Sequence, residues 1–506
     1  MSYNTLTHTI ADLEHKKTRK ILIKLVLSLA YTTMESENRP LRAHFIPYST
    51  TSHLMPQVDM AMIFAARGVD VTIITTYYNS LLFQKSIDKA ITRGHHINVH
   101  KLKFPFREIG LPEGLENFSD ATSGEICSKI GKGVSMLQQP IEQFIRDNRP
   151  DFIVADMFHF WSSDLASDLG IPRLTSHGMG HFSLCAEDCL FRYESHKTVQ
   201  SNKEPFLLPG LPGQIQMTRS EIADWIKVPD AFTGLINMIN KSIEKSYGVL
   251  VNSFYELEKD YADHYRNVLG MKSWSIGSVR LFNARYGKGN DEKHDCLSWL
   301  DSQNPNSVVY ISFGSLCSFS SAQISEIAKA LDSMNHPFIW VVRKEDKENE
   351  WLPRELEEKI TKSNKGLIIK GWAPQLSILE HPSVGGFLTH CGWNSVLETI
   401  AAEVPMATWP LGADQFYNEK LITQVLGVGL KVGSESWTHL LEESRSYVEK
   451  KKIVKAVNEL MGGGEEADMR RKKVKELSLI AKAAVKEGGS SYSNVTALLD
   501  ELRQRL

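Results

Sequence analysis

Short unbroken apolar runs alternate along this chain with longer stretches in which apolar residues recur three and four apart. The first alternation predicts a buried strand at Ala43–Tyr48, a polar loop at Tyr48–Leu54 and a helix at Met55–Ala66. Val58, Ala61, Met62 and Ala65 fall on one face of that helix, as a 3.6-residue period requires. Gly68 ends it, and Val69–Thr75 supplies the next strand. Strand, helix and strand at this spacing imply a parallel βαβ unit, because parallel neighbours need a long crossover. Asp151–Asp156 repeats the strand pattern and is followed by a helix at Trp161–Leu169, which Gly170 and Pro172 stop. Tyr247–Ser253 is a late strand of the same half.

Between Leu281 and Asp295 the apolar period disappears, and Gly287, Gly289 and Asn290 stand among charges, which is linker chemistry. The alternation then resumes with strands at Val308–Phe313, Pro337–Val342, Gly366–Lys370, Val384–Leu388 and Pro405–Thr408. Helices are predicted at Ala322–Ser333 and from Asn394 onward. The tail is highly charged, with one helix over Asp468–Lys486 and an amphipathic one over Ser493–Leu506 capped by Ser493. Its buried face carries Leu498, Leu499 and Leu502. A chain of 506 residues exceeds what a single core usually supports, so two α/β halves are expected.

Composition mainly excludes. Apolar residues at 42% and charged ones at 23% are ordinary for a folded protein. A net charge of −2 provides no global basic field to draw nucleic acid or an anionic membrane. The six cysteines form no CxxC pair, and no HExxH or clustered His/Cys set occurs, so free thiols and no metal are expected. Cys185 and Cys189 share a helix face yet read as buried free thiols. Lys16, Lys17, Arg19 and Lys20 before the apolar run Ile21–Tyr31 imitate a secretory signal, but Lys24 interrupts the run and no small-x-small site follows. Residues 1–33 are therefore read as a dispensable extension, and the protein as a cytoplasmic monomer. No later segment reaches the ~20 apolar residues of a membrane span.

Candidate chemistry concentrates in two places. In the second half, Gly371-Trp372-Ala373-Pro374-Gln375 offers an aromatic face beside a Pro-restricted backbone, which alone serves packing as readily as binding. His390-Cys391-Gly392-Trp393-Asn394-Ser395 then lies between a strand and a helix start, where unpaired N–H groups and the helix dipole favour phosphate. Asn394 or Ser395 as a simple cap uses the same geometry. Glu398 follows within the first turns, suited to paired ribose hydroxyls, and Asp414-Gln415 offers acceptors and donors suited to sugar hydroxyls. In the first half, His53 and Asp156 each follow or end a strand of one parallel sheet, where open α/β sheets place ligands.

The 44 residues Trp372–Gln415, from WAPQ through HCGWNS and Glu398 to the closing Asp-Gln, resemble the complete donor signature of plant family 1 UDP-glycosyltransferases of secondary metabolism. The likeness extends from about Leu41 to the C-terminus. It implies a GT-B fold: two doubly wound Rossmann-like domains facing across a cleft, followed by C-terminal helices. Residues 34–280 would bind the acceptor and carry the base, 281–295 link, 296–487 bind the UDP-sugar, and 488–506 pack back on the first domain. Trp372 would stack on uracil with Ala373 pairing its edge, and Gln375 and Glu398 would hold ribose. His390, Asn394, Ser395 and Ser315 would hold the diphosphate, and Trp393, Asp414 and Gln415 the sugar. His53 would be the base and Asp156 its orienting partner, inverting the anomeric centre without metal or cofactor.

Phe158, His177 and Met179 are the candidate acceptor pocket, drawn from a set that includes His159, Phe160 and Phe182; core packing is an equal reading for each. Ser49–His53, Leu207–Pro212 and Lys245–Gly248 are similar to a subgroup acting on triterpenoid saponins. A closing Gln415 goes with glucose in this family, whereas a closing His accompanies galactose. The expected partners are thus UDP-glucose and a hydrophobic hydroxylated acceptor, with flavonoids or other phenolics as the alternative class. A noncatalytic UDP-sugar-binding scaffold is the competing function. Two residues depart from the family pattern: Ser52 stands where Gly is commoner, and Glu403 precedes Val-Pro where Gly is usual, at an expected ~1 kcal/mol if that position is left-handed.

Overall fold

The computed structural model describes residues 39–284, 294–314, 319–342, 358, 360, 365–439 and 442–505. The N-terminal extension 1–33, most of the linker, Cys317 and the candidate Ser315 lie outside the described residues.

Fifteen strands form two large parallel sheets and a small hairpin among the described residues. In the first half these are β1 (Arg42–Ile46), β2 (Asp70–Thr76), β3 (Ile97–Leu102), β4 (Phe152–Asp156), β5 (Arg173–His177), the hairpin β6 (Pro205–Leu207) and β7 (Gln216–Thr218), β8 (Gly248–Val251) and β9 (Ser273–Ser275). The second half has β10 (Val308–Ser312), β11 (Phe338–Val342), β12 (Gly366–Lys370), β13 (Val384–Thr389), β14 (Met406–Thr408) and β15 (Gly429–Lys431). The helices used below are α1 (Thr51–Ala66), α2 (Gln84–Thr92), α3 (His181–Tyr193), α4 (Ala231–Lys245), α5 (Val279–Ala284), α6 (Trp393–Ala401), α7 (Gln415–Lys420), α8 (Glu465–Ala484) and α9 (Ser490–Arg503).

The sheet orders are β3-β2-β1-β4-β5-β8-β9 and β12-β11-β10-β13-β14-β15. Each order reverses once, at β1/β4 and at β10/β13. Loops leaving the two strands of such a junction part in opposite directions, so a crevice opens at their carboxyl ends. Strands buried on both faces read as continuous apolar runs, and their alternation decides which core each residue joins. Phe152 and Val154 pack with α1, while Ile153 and Ala155 pack on the opposite face.

A third core crosses between the halves: Phe182 and Trp225 pack with Trp393, Val396, Phe416 and Leu421 in one cluster. Beneath it Lys420, fully buried, donates to Glu221 of the first half at 2.5 Å and lies 3.3 Å from Glu419. The C-terminal α9 buries Val495, Leu498, Leu499 and Leu502 against Leu41, Phe64 and Trp274 of the first half. At ~1.5–3 kcal/mol per buried aliphatic side chain, this is enough to hold the tail on a domain remote in sequence.

Two predicted boundaries are corrected. Helix α1 begins at Thr51, so His53 sits in its first turn rather than in a loop. Helix α9 begins at Ser490 with Gly489 at its N-cap, so Ser493 lies inside it and caps nothing. Glu403 does adopt the left-handed conformation, at φ 66°.

Candidate active site

The residues singled out by sequence gather at the two crevices. His53 follows β1 and Asp156 ends β4, and His53 Nδ1 lies 2.8 Å from Asp156 Oδ2. An ionised carboxylate only accepts, so Nδ1 carries the proton and Nε2 is the basic nitrogen. Asp156 is held from its other side, where Oδ1 accepts the Phe158 backbone N–H at 3.0 Å. Burial pushes the His53 pKa down, but the adjacent Asp156 charge and hydrogen bond outweigh it and the net shift is upward. Burial would raise Asp156, yet His53 and the Phe158 N–H bring it below the usual carboxylate range.

The first turn of α1 is built unusually. Pro56 has no N–H, so the carbonyl of Ser52 has no intrahelical donor. Asn394 of the opposite half fills that gap, its Nδ2 donating to Ser52 O at 2.8 Å. Ser119, in the short 3-10 helix Phe118–Asp120, accepts the Thr51 N–H at 3.0 Å and so does the work of a cap.

His390 follows β13, and Gly314 follows β10, the other junction. A Cβ on Gly314 would lie 2.6 Å from His390 Nε2, and φ of +74° there also favours glycine. Burial pushes His390 down to about 4, so the imidazole is neutral at ordinary pH. Helix α6 starts at Trp393, and its N-cap Gly392 has no side chain to cap it. Its first N–H groups therefore point into the crevice without a side-chain acceptor. Ser395 instead accepts from Gln375 Nε2 at 3.0 Å, and the same amide donates to Glu398 at 2.9 Å. Trp372 is 76% exposed, an indole face with no protein cover. Asp414 accepts from Asn418 at 2.9 Å, and burial raises its pKa to about 6. The Gln415 carbonyl oxygen is fixed by Leu411 and Gly412 N–H groups at 2.9 and 3.1 Å.

His53, Gly314, Trp372, Gln375, His390, Asn394, Ser395, Glu398, Asp414 and Gln415 line one cleft of about 2340 Å³, with Asp156 buried behind His53 and Ser315 outside the described residues. The two halves meet electrostatically in it, since the Asp414 charge helps raise His53. The Trp393 ring is 4% exposed, and its indole N–H donates to Asn252 O of the first half at 2.7 Å.

Phe158, His177 and Met179 also line the cleft beside His53, with the Phe158 ring 5.5 Å from the imidazole. Burial drives His177 down to about 4, which leaves it uncharged. Phe182 belongs to the core instead, and neither His159 nor Phe160 lines the cleft. Sequence reasoning missed most of the wall: Trp225, Phe232, Leu235, Ile236, Ile239, Trp437 and Glu187. Helix α4 reads as an ordinary amphipathic segment, and no local signal distinguishes a face that meets a ligand from one that meets a core. Among the described residues no group of three His, Cys, Asp or Glu is placed to hold a metal, and no helix is long and apolar enough to cross a membrane.

Residues 285–456 match the family model described as UDP-glucoronosyl and UDP-glucosyl transferase. The soyasapogenol B glucuronide galactosyltransferase of Glycine max is 45% identical over 481 residues, 93% of this chain and 97% of that protein. The anthocyanin 3'-O-beta-glucosyltransferase of Gentiana triflora is 44% identical, covering 91% and 98%. Among solved structures, Glycyrrhiza uralensis UGT73P12 complexed with glycyrrhetinic acid 3-O-monoglucuronide superposes with a TM-score of 0.88 at 44% identity, covering 92% of this chain and 96% of that one.

Proposed function

Because this chain belongs to the plant UDP-glycosyltransferase family, with its GT-B fold, we propose that it transfers glucose from UDP-glucose to a hydroxyl of a triterpenoid sapogenin or saponin. The observation that carries the reading is the meeting of two crevices in one cleft, a His–carboxylate pair in one and a neutral phosphate cradle in the other.

The chemistry follows from the positions. The acceptor hydroxyl sits against His53 Nε2, which takes its proton as the oxygen attacks the anomeric carbon. That C–O bond forms while the bond to UDP breaks, and the electron pair leaves with the β-phosphate. Attack from the face opposite UDP inverts the centre. Asp156 keeps Nε2 as the accepting nitrogen and stabilises the imidazolium that forms, in the manner of a Ser-His-Asp triad with the acceptor hydroxyl in place of serine. Such base assistance supplies ~10²–10⁴ in rate. The uncapped start of α6 and His390 stabilise the departing diphosphate.

Trp372 supports the uracil and Gln375 with Glu398 the ribose, while Asp414 and Gln415 meet the sugar. A cleft of about 2340 Å³ is large for one small molecule and suits a bulky polycyclic acceptor beside the donor. Its apolar wall of Trp225, Phe232, Leu235, Ile236 and Ile239 matches a skeleton with few polar groups. The likeness to a galactosyltransferase makes donor choice the point to test.

Purified protein is incubated with UDP-glucose, UDP-galactose and UDP-glucuronate in competition, against triterpenoid sapogenins, their glucuronides and flavonols, with products read by mass spectrometry. A hexose added from UDP-glucose to a triterpenoid is the expected result. Preference for either other donor overturns glucose, and preference for flavonols overturns the acceptor class. Tight UDP binding with no product from any acceptor favours the scaffold.

A further inference from the structure

The UDP moiety brings negative charge into the cleft, and the donor half supplies no Lys or Arg to meet it among the described lining residues. Its formal charges there are Asp295, Asp301, Glu380, Glu398 and Asp414, all acidic. His390 is neutral because burial holds it at about 4. Helix-terminal N–H groups offer partial charge only, roughly half a unit per helix.

The cations that line the cleft come from the first half: Lys85, Lys89, Arg93 and Arg280. The first two stand on α2 and Arg93 at its C-cap, on the flank of the cleft. Arg280 stands on α5, the short helix packed on α1, whose first turn carries His53. Its field reaches the ribose carboxylate Glu398 of the opposite half as well as Asp59 of α1. Its placement is that of a side chain available for recruitment. The guanidinium is 47% exposed, and Nη1 lies 3.9 Å from Asp59 Oδ2, too long for a hydrogen bond. Asp59 is meanwhile satisfied by Asn283, whose Nδ2 donates at 2.8 Å.

We propose that Arg280 is a UDP-binding residue contributed by the acceptor domain, its guanidinium pairing with a phosphate oxygen of the donor across the cleft. This rests on the UDP-sugar reading above and extends it: donor affinity then depends on the two domains being together. The planar fork of five N–H donors suits a phosphate oxygen pair, which an ammonium matches only as a point charge. Release from Asp59 costs little, since that contact is long and the carboxylate keeps its Asn283 bond.

The test separates phosphate from nucleoside. Binding of UDP and of uridine is measured by calorimetry for the wild type, Arg280→Ala and Arg280→Lys at two ionic strengths. Charge-assisted hydrogen bonds predict a ~10–100-fold loss of UDP affinity in R280A, a partial recovery in R280K, and a weaker salt dependence in R280A. Uridine affinity stays within about twofold, which also shows that the variant is folded. UDP affinity unchanged in R280A overturns the proposal. Equal loss of UDP and uridine overturns it too, because Arg280 is then structural or reads the nucleoside. A wild type that binds no UDP at all refutes the donor reading itself, a separate failure.

Discussion

Replacing Asp156 with Asn removes a charge while keeping the shape of the side chain and its bond to the Phe158 N–H. In the wild type the His53–Asp156 contact is 2.8 Å, with the imidazole 18% and the carboxylate 2% exposed. Charge centres about 4 Å apart attract by roughly 4 kcal/mol at an effective dielectric of about 20. Partial solvent access to His53 screens part of this attraction. The sign is fixed by the base being active only when neutral. Rate rises with pH through the His53 pKa, Asp156 holds that pKa up, and burial alone would pull it down. In D156N the acid limb of kcat/KM therefore moves to lower pH. The plateau falls ~10²–10⁴-fold, because an amide no longer dictates which nitrogen carries the proton. The assay is UDP release from UDP-glucose with a saturating sapogenin between pH 5 and 9, with a melting curve for each protein. An acid limb that stays in place, or a plateau within twofold of wild type in a folded variant, refutes the pairing as the source of basicity.

Other expectations follow from single side chains. Trp372→Ala removes an exposed ring, so stability stays within about 0.5 kcal/mol while the KM for UDP-glucose rises ~5–100-fold; an unchanged KM removes Trp372 from the uracil site. Glu187 lines the acceptor wall, and burial with the neighbouring Asp414 and Asp188 charges pushes it up to about 7. It is neutral below that pH and anionic above it, so KM for an apolar acceptor should climb as pH passes about 7. Glu187→Gln should flatten that rise, and a rise that persists in the variant assigns it elsewhere. Glu403, at φ 66°, pays a left-handed penalty of about 1 kcal/mol but accepts from Lys482 at 3.0 Å. Glu403→Gly should thus change stability by less than about 1 kcal/mol in urea, and stabilise more clearly once Lys482 is Ala. Equal gains in both backgrounds would show that the ion pair offsets nothing.

The sequence by itself determined the local order of this protein and the chemistry of its residues. Alternating apolar runs and helical periods specify strands buried on both faces and parallel crossovers, and these belong to short windows. Trp372–Gln415 carries its donor residues within one such stretch, so their grouping was legible without a fold. Even there the fold adds partners that no short window shows. Asn394, a cap or phosphate donor by its sequence position, also donates its amide to a carbonyl that Pro56 leaves open on the other half. Trp393 donates its indole N–H to Asn252 of the other half.

What only the tertiary structure decided is which faces meet. His53 and Asp156 are 103 residues apart, and their contact depends on β1 and β4 being neighbours at the point where the sheet order reverses. The acceptor wall on α4 and the reach of the Arg280 charge to Glu398 depend on how two domains pack. The neutrality of His390 and the elevated Glu187 depend on burial. Periodicity records that a face is covered but not by what, and a pKa sums desolvation and charge over every neighbour the fold brings near.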